Sequence, residues 1–458
     1  MGRRTGWVTA LREAAARTVV GRVAAVAAAL CVASAGLPGT VAEAAGAADV
    51  PSYAFDRNAR GITAANGTTD AVRLEPGTTY RSSLAGREKV YYRLELDDAS
   101  NAYVSVTAVP RAGTALASGD GVRVSVQNAD SGSCSYDTVT VGASGEAHPI
   151  TAWGAREILA GKGLCQEAGT YFLVVERTET GTEDGQPWEL ELAPVSEPPS
   201  ARAGATSVPE AWNSATPAPL VEEPVDRPGG GGFSDATAVR QGVWRDEIVP
   251  GQTLFYKVPV DWGQQLYAAV DLDSAGTNAG FVVPALDLTA YNPVRAEIAG
   301  TSIGYGGTQK SASLPLLPPV RHVNRYAPTD PTQSLRFAGF HYLAVYLSAH
   351  VAERFGDGPY GVKLRVRIGG TAQAGPAYEG RPVPSGVFDT GTRGGPSASV
   401  GGTAGGGDGA ADDGAMTAVA VGGLGTGSAL LLVLGVWTVT ARRRASAQIR
   451  ASAQNPTA

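Results

Sequence analysis

Residues Trp244 to Asp261 read WRDEIVPGQTLFYKVPVD, and Tyr80 to Asp97 read YRSSLAGREKVYYRLELD. The two align without a gap. Arg81 meets Arg245, Tyr92 meets Tyr256 and Asp97 meets Asp261, while Tyr80/Trp244, Leu84/Ile248, Tyr91/Phe255, Arg93/Lys257, Leu94/Val258 and Leu96/Val260 keep their chemical type. A repeat so widely spaced is a duplicated domain, not a solenoid of short units. Val90, Tyr92, Leu94 and Leu96 alternate with Tyr91, Arg93, Glu95 and Asp97, the period of two of a strand with one buried face.

The flanks continue the pattern. Tyr103 to Thr107 and Val122 to Val126 alternate, Gly169-Thr170 leads into Tyr171 to Val175, and Pro187-Trp188 leads into Glu189 to Leu192. Gly339 to Tyr346 and Pro359 to Val366 repeat the last two, so the whole domain is copied and not one hairpin. Short strands without a helical period between them predict an all-β chain of two tandem antiparallel β-sandwich domains, jelly-roll-like, at 72–193 and 233–368. Residues 45–71 read as an N-terminal arm, 194–232 as a Pro/Ala/Gly-rich linker and 369–415 as a Gly/Pro/Ser-rich stalk.

The turn, Gly and aromatic-rich strand of Tyr80 to Val106 and its copy resemble the pre-peptidase C-terminal (PPC) domain family. That resemblance implies a small jelly-roll-like sandwich of secreted bacterial proteins, non-catalytic and accessory to a protease. No peptidase domain is recognisable in this chain, so it implies service to a separate partner. The signal block, acidic ectodomain and Arg-capped apolar segment together resemble actinobacterial secreted or membrane-anchored surface proteins.

Addressing signals occupy both ends. Arg3, Arg4, Arg12, Arg17 and Arg22, the apolar run Val23 to Val32 and Ala42-Glu43-Ala44 have the order of a signal peptide over residues 1–44. Met416 to Ala441 carries no charge, and at 1.5 Å per residue reaches ~39 Å against a ~30 Å hydrocarbon core. Arg442, Arg443 and Arg444 follow, which predicts a single-pass helix at 416–441, a cytoplasmic tail at 442–458 and an extracellular ectodomain at the plasma membrane. No LPxTG motif precedes this segment, so retention as an anchor is expected over sorting to the wall.

The formal net charge is −6, and both ends are basic, so the exported part is more acidic still. Such a surface lacks the basic stripe that nucleic acid requires. With Cys31 in the signal region, the exported chain has Cys134 and Cys165, an even pair that predicts a disulfide.

Candidate chemistry is thin. Gly300-Thr301-Ser302-Ile303-Gly304 matches the G-x-S-x-G nucleophile elbow, but Tyr305-Gly306-Gly307 is a poor helix start. His148, His322, His341 and His350 are the available imidazole bases. Asp97-Asp98, Asp261, Asp271 and Asp273 lack the order of a calcium loop and read as turn residues. The repeated aromatics, Tyr91, Tyr92, Trp188, Trp244, Phe255 and Tyr256 among them, read as core in preference to a carbohydrate-stacking face. Gly423 and Gly427 form a G-x-x-x-G in the span, a weak signal for helix pairing.

No catalytic, cofactor or metal site is therefore predicted. The expectation is a non-catalytic cell-surface protein that binds an envelope protein or wall polymer; the alternative is an extracellular hydrolase or its accessory subunit. Function is to be sought where the copies differ, in the Cys134/Cys165 segment and the Pro-rich insertion Ser313 to Pro331.

Overall fold

A computed structural model describes residues 52–391, except 87, 160, 179–185, 203, 208–210 and 277–279. The expected signal peptide at 1–44, the apolar segment 416–441, its Arg442–Arg444 flank and the expected tail at 442–458 lie outside the described residues. No helix among the described residues is long and apolar enough to cross a membrane.

The first sandwich contains β1 (Arg60–Gly61), β2 (Val72–Arg73), β3 (Tyr80–Leu84), β4 (Lys89–Leu96), β5 (Asn101–Val109), β6 (Gly121–Asn128), β7 (Ser133–Thr140), β8 (Ile150–Arg156), β9 (Gly169–Thr178) and β10 (Trp188–Glu197). The second contains β11 (Val225–Asp226), β12 (Thr237–Ala238), β13 (Gly242–Ile248), β14 (Thr253–Val260), β15 (Gln265–Leu272), β16 (Val282–Tyr291), β17 (Glu297–Tyr305), β18 (Lys310–Ser313), β19 (Gly339–Leu347) and β20 (Tyr360–Gly369). The sheets of the first are ordered β1-β3-β10-β5-β8 and β2-β4-β9-β6-β7, and those of the second β11-β13-β20-β15-β18 and β12-β14-β19-β16-β17. Each strand of one copy has its counterpart in the other. The duplication read in the sequence extends to the complete strand order.

The repeated tyrosine shows why the repeated stretch was kept. Val90, Tyr92 and Leu94 of β4 and Leu254, Tyr256 and Val258 of β14 point into their respective cores. A buried phenol needs a partner for its hydroxyl. Tyr92 Oη donates to Ser82 Oγ at 2.8 Å on β3, and Tyr256 Oη donates to Asp246 Oδ2 at 2.6 Å on β13. Position 82 aligns with 246, so the same contact between the two layers is made twice with different acceptors. Trp188 and Tyr360 open β10 and β20 opposite Leu84 and Ile248, which also align.

Three compositional assignments need correction. The arm at 45–71 contributes β1, paired in parallel with β3, and Tyr53, which is buried. The linker at 194–232 is shorter than its composition implies, because β10 runs to Glu197 and β11 lies at Val225–Asp226; the described residues between them carry one isolated bridge, from Ser200 to Tyr378, and no strand or helix. Four of its five glycines, Gly229 to Gly232, serve close approach and not flexibility. A Cβ on Gly232 would lie 2.2 Å from the Ala54 carbonyl oxygen, and Ala54 N–H donates to Gly231 O at 2.8 Å, so bare backbone is what lets these strands approach. The stalk likewise begins later than residue 369. Gln373 N–H bonds Trp262 O at 2.8 Å, Ser196 and Val383 exchange two backbone bonds, and Phe388 stacks on Phe337 at 4.9 Å. Two aromatic anchors, Tyr378 and Phe388, fix a segment whose Gly/Pro content reads as flexible.

The two sandwiches belong to one compact unit. One shared cluster joins Tyr53 and Val109 of the first to Phe233, Phe255 and Tyr291 of the second, and another joins Tyr103 and Val195 to Val294, Phe337 and Phe388. Buried ion pairs lie within these clusters: Arg295 meets Glu191 at 2.7 Å, Arg325 meets Glu197 at 2.8 Å and Arg336 meets Glu157 at 3.0 Å. In every one the acid comes from the first sandwich and the base from the second. Glu197 also accepts from Asn101 Nδ2, Tyr103 Oη and Tyr378 Oη at 2.8, 2.8 and 3.0 Å. Burial alone would raise its pKa, but the Arg325 charge and these donors outweigh burial and hold it below the ordinary value.

Removing one partner of such a pair leaves the other charge buried alone, so Glu197→Ala is expected to cost about 3–5 kcal/mol in denaturant unfolding. Because the folded pKa of Glu197 lies below the unfolded one, its stabilisation is full above the ordinary carboxylate range and is lost as pH falls through the folded value. Glu197→Gln should therefore lower stability at neutral pH and flatten the acid limb of a pH-stability curve; an unchanged limb would show that the pair contributes nothing.

Candidate functional site: a groove between the sandwiches

The two places where the copies differ occupy the same topological position. One is the β8–β9 connection, which carries Cys165; the other is the β18–β19 connection, which carries a single 3-10 turn (His322–Tyr326) and α1 (Asp330–Ser334). The Cys134–Cys165 disulfide is formed, with a Cα–Cα distance of 5.7 Å, and ties the first connection to β7. In the chain-entropy picture closing such a loop contributes roughly 3–4 kcal/mol. The second connection supplies Arg325 and Arg336, which reach Glu197 and Glu157. The equivalent connections thus meet across the interface.

Between them runs a groove of about 670 Å³, with Tyr136, Asp137, Trp153 and Glu157 on one wall and Glu297, Asp330, Gln333 and Arg336 on the other. A second stretch of about 630 Å³ continues it past Val139 and Glu297, which line both, to His148, Thr253, Asp287, Ser302 and Tyr346. Each volume falls within the ~300–1,000 Å³ of small-ligand sites.

The wall chemistry follows from strand register. On β7, Asp137 accepts from its neighbour Thr138 N–H at 2.8 Å and from Trp153 N–H of β8 at 3.2 Å. Burial nevertheless holds its carboxyl above the ordinary range, and the Asp330 charge adds to the effect. Glu297 starts β17 on the opposite wall; partial enclosure of its carboxyl, then the Asp137 charge, push it the same way even though the residue itself is exposed. Tyr136 stands 72% exposed, an unusual position for a large ring. Trp153 stacks on Tyr103 at 5.9 Å, and the Arg336 guanidinium lies 5.3 Å from its ring centre.

In the second stretch, His148 stacks on Tyr346 at 4.5 Å. Its Nδ1 lies 2.9 Å from the Glu146 carbonyl oxygen, to which Nδ1–H donates, leaving Nε2 as an acceptor. Burial lowers its pKa, which keeps the ring neutral near pH 7. Asp287, opposite Ser302 in the β16–β17 ladder, is raised by burial against the opposing effects of the Ser302 hydroxyl and His148. Asp287 Oδ1 and Thr253 Oγ1 are buried without a hydrogen-bond partner in the protein.

The residues singled out by motif fall differently. Ser302 lies inside β17, with no strand-to-helix turn around it, so the nucleophile elbow is not formed. Ser200 Oγ lies 3.3 Å from His322 Nε2, and Glu197 faces that same nitrogen at 3.8 Å and not the opposite edge of the ring, where a triad carboxylate would sit. Burial drives His322 and His341 down to about 4. Asp271 pairs with Arg365 and Asp273 with Lys363, while Asp97 caps its own turn through Ala99 and Ser100 N–H. Among the described residues no group of three or more His, Cys, Asp or Glu is arranged to hold a metal ion. The repeated aromatics divide: Tyr92, Trp188 and Tyr256 are core, and Phe255 is interface. Motif analysis did not find Tyr136, Asp137, Asp287 and Glu297; divergence between the copies pointed to the region of the first two.

No family model matches the chain. No curated protein matches it. Among solved structures it is similar to the tandem CBM22 domains of a Paenibacillus barcinonensis protein, at 12% identity and a TM-score of 0.17 over 67% of this chain and 95% of that one. Similar too are the tandem CBM51 modules of a Streptococcus pneumoniae family 98 glycoside hydrolase, at 7% identity and 0.16 over 63% and 83%. The CUB1-EGF-CUB2 region of human MASP-1/3 is similar at 8% and 0.15 over 63% and 98%. Scores this low carry no conclusion about ligand or activity, and the class of the fold rests on the strand order itself.

A carboxyl whose folded pKa is raised is destabilising when ionised, so the penalty is present above the ordinary range and disappears once it is protonated in both states. Asp137→Asn removes the charge but keeps only one of the two oxygens that accept from Thr138 and Trp153 N–H. Its melting temperature relative to the parent is therefore expected to be higher at about pH 7 than at about pH 3, where the parent carboxyl is protonated too; a difference that does not change with pH would show that ionisation of Asp137 carries no penalty.

Proposed function

We propose that this chain is a non-catalytic cell-surface binding protein, exported through residues 1–44 and anchored by the helix 416–441 with Arg442–Arg444 on the cytoplasmic side. Its sandwiches act as one rigid unit that offers the groove to an envelope protein or wall polymer. One observation supports this reading above others. The segments in which two copies of one fold have diverged converge on the two walls of a single groove, while the shared residues are spent on cores.

The extracellular hydrolase reading draws support from Asp137 and Glu297, two carboxyls on opposite walls that both hold protons more tightly than usual. The binding reading is preferred because both carboxyls are shifted in the same direction, whereas an acid and base pair needs environments that push the two apart.

Photo-crosslinking on intact cells separates these readings. A crosslinker at Tyr136 or Gln333 should capture a discrete envelope component, while one at Glu75, exposed and away from the groove, should not. Equal capture at all three positions would remove the groove from the mechanism. Turnover of generic glycoside or peptide substrates that is lost in Asp137→Asn would replace binding with catalysis.

A further inference from the structure

Resting on the binding reading, we infer that the groove's ligand is a glycan without anionic groups, seated with one sugar ring against Tyr136 and its hydroxyls held by carboxylates along both walls. Sugar rings present two surfaces at once: a patch of C–H bonds on the ring face, and hydroxyls around the rim that both donate and accept. A site for them needs a free aromatic face next to groups that are mainly acceptors. Tyr136, a lining residue of the groove, is 72% exposed on the edge strand β7, so its ring is open to a ligand, while the lining carboxylate of Asp137 projects from the other face of that strand towards β8.

Across the groove stand Glu297, Asp330 and Gln333, two acceptor carboxylates and an amide that offers both functions. Further along, Asp287 Oδ1 has no partner in the protein, and neither has the hydroxyl of Thr253, a residue only 6% exposed. Both residues line the groove. An acceptor and a hydroxyl left uncommitted within a lined cavity suit a ligand that brings hydroxyls of its own.

Charge selects among polymers. Asp137, Glu297, Asp330 and Asp287 line the groove, whereas Arg336 is held by Glu157 and Lys162 is the one other Lys or Arg among its lining residues. A polymer of phosphates, sulfates or uronic acids would meet like charge along the whole path. A neutral chain would not. The two stretches share Val139 and Glu297, so a linear oligosaccharide can run from the Tyr136 end to the Thr253 end without leaving the groove.

The test uses the full chain purified in detergent. Six-residue oligosaccharides of glucose, mannose, N-acetylglucosamine, galactose and arabinose are titrated beside heparin and polygalacturonate, with calorimetry as the readout. At least one neutral oligosaccharide should bind, neither anionic polymer should, and Tyr136→Ala should weaken binding roughly tenfold or more. Asp287→Asn should weaken it severalfold. Both variants should keep the parent melting temperature to within a few degrees, which separates lost contact from lost fold. Binding of no neutral oligosaccharide, preference for an anionic polymer, or affinity unchanged in both variants would each overturn the inference. If crosslinking from Tyr136 captures a protein while no saccharide binds, this inference falls and the surface-binding reading stands; if neither occurs, both fall.

Discussion

Two carboxylates of the first sandwich, Glu191 and Glu197, are buried against two guanidinium groups of the second, Arg295 and Arg325. Moving four charges out of water is costly, and attraction between them recovers that cost only when every remaining lone pair and proton is also used. Here they are. Glu191 accepts from Arg295 Nη1, Tyr53 Oη and the Asp56 amide, and Glu197 from Arg325, Asn101, Tyr103 and Tyr378. Ion pairs of this kind add less to net stability than to uniqueness, because sliding one sandwich over the other would strand buried charges. The groove inherits its width from that constraint.

The same pairs explain why the segments at both ends of the folded unit are ordered. Tyr53 precedes the first sandwich and Tyr378 follows the second, yet each places its hydroxyl on one of the two carboxylates. Around each pair an aromatic cluster excludes water: Phe233 with the Arg295 guanidinium 4.9 Å from its ring centre, and Tyr103 edge-on to Phe337 at 5.1 Å. A low local dielectric strengthens each hydrogen bond within it and raises the cost of any that is missing. The polar contacts and the apolar seal therefore depend on each other.

The fold was legible in the chain because its signal is local. Alternation over Val90 to Leu96 and its recurrence in Leu254 to Val260 depend on neighbours two residues apart, and the turn residues before β9, β10, β19 and β20 mark strand starts directly. What stayed hidden depends on contacts between distant residues. Gly229 to Gly232 and residues 369–391 have the composition of flexible chain, and nothing in composition says that a bare backbone is needed beside Ala54 or that Tyr378 and Phe388 have partners nearly two hundred and about fifty residues away. The disulfide was legible because only Cys134 and Cys165 follow the N-terminal apolar run. The groove carboxylates were not, since Asp137, Asp287 and Glu297 are spaced by no motif and come together only when two domains dock.

Duplication explains how such a site arises. A sandwich alone buries its faces between its own sheets and has little concave surface to offer. Two copies in contact create a crevice wherever their edges fail to match, and the β8–β9 and β18–β19 connections occupy equivalent positions at that edge. Each connection touches its core at a few points, Cys165 in the first sandwich and Leu317, Val320 and Leu335 in the second, so the residues between those anchors can change without disturbing Val90, Tyr92 or Val258. One copy acquired a disulfide-tied loop and the other a long β18–β19 connection that carries Arg325 and Arg336, and the two sandwiches now meet through the Glu197 and Glu157 pairs. The repeated stretch Tyr80 to Asp97 and Trp244 to Asp261 is constrained by the layer contacts of Tyr92 and Tyr256, whereas the connections are held to the cores only at Cys165 and at Leu317, Val320 and Leu335, and their remaining residues join strands β7, β8 and β17 in lining the groove.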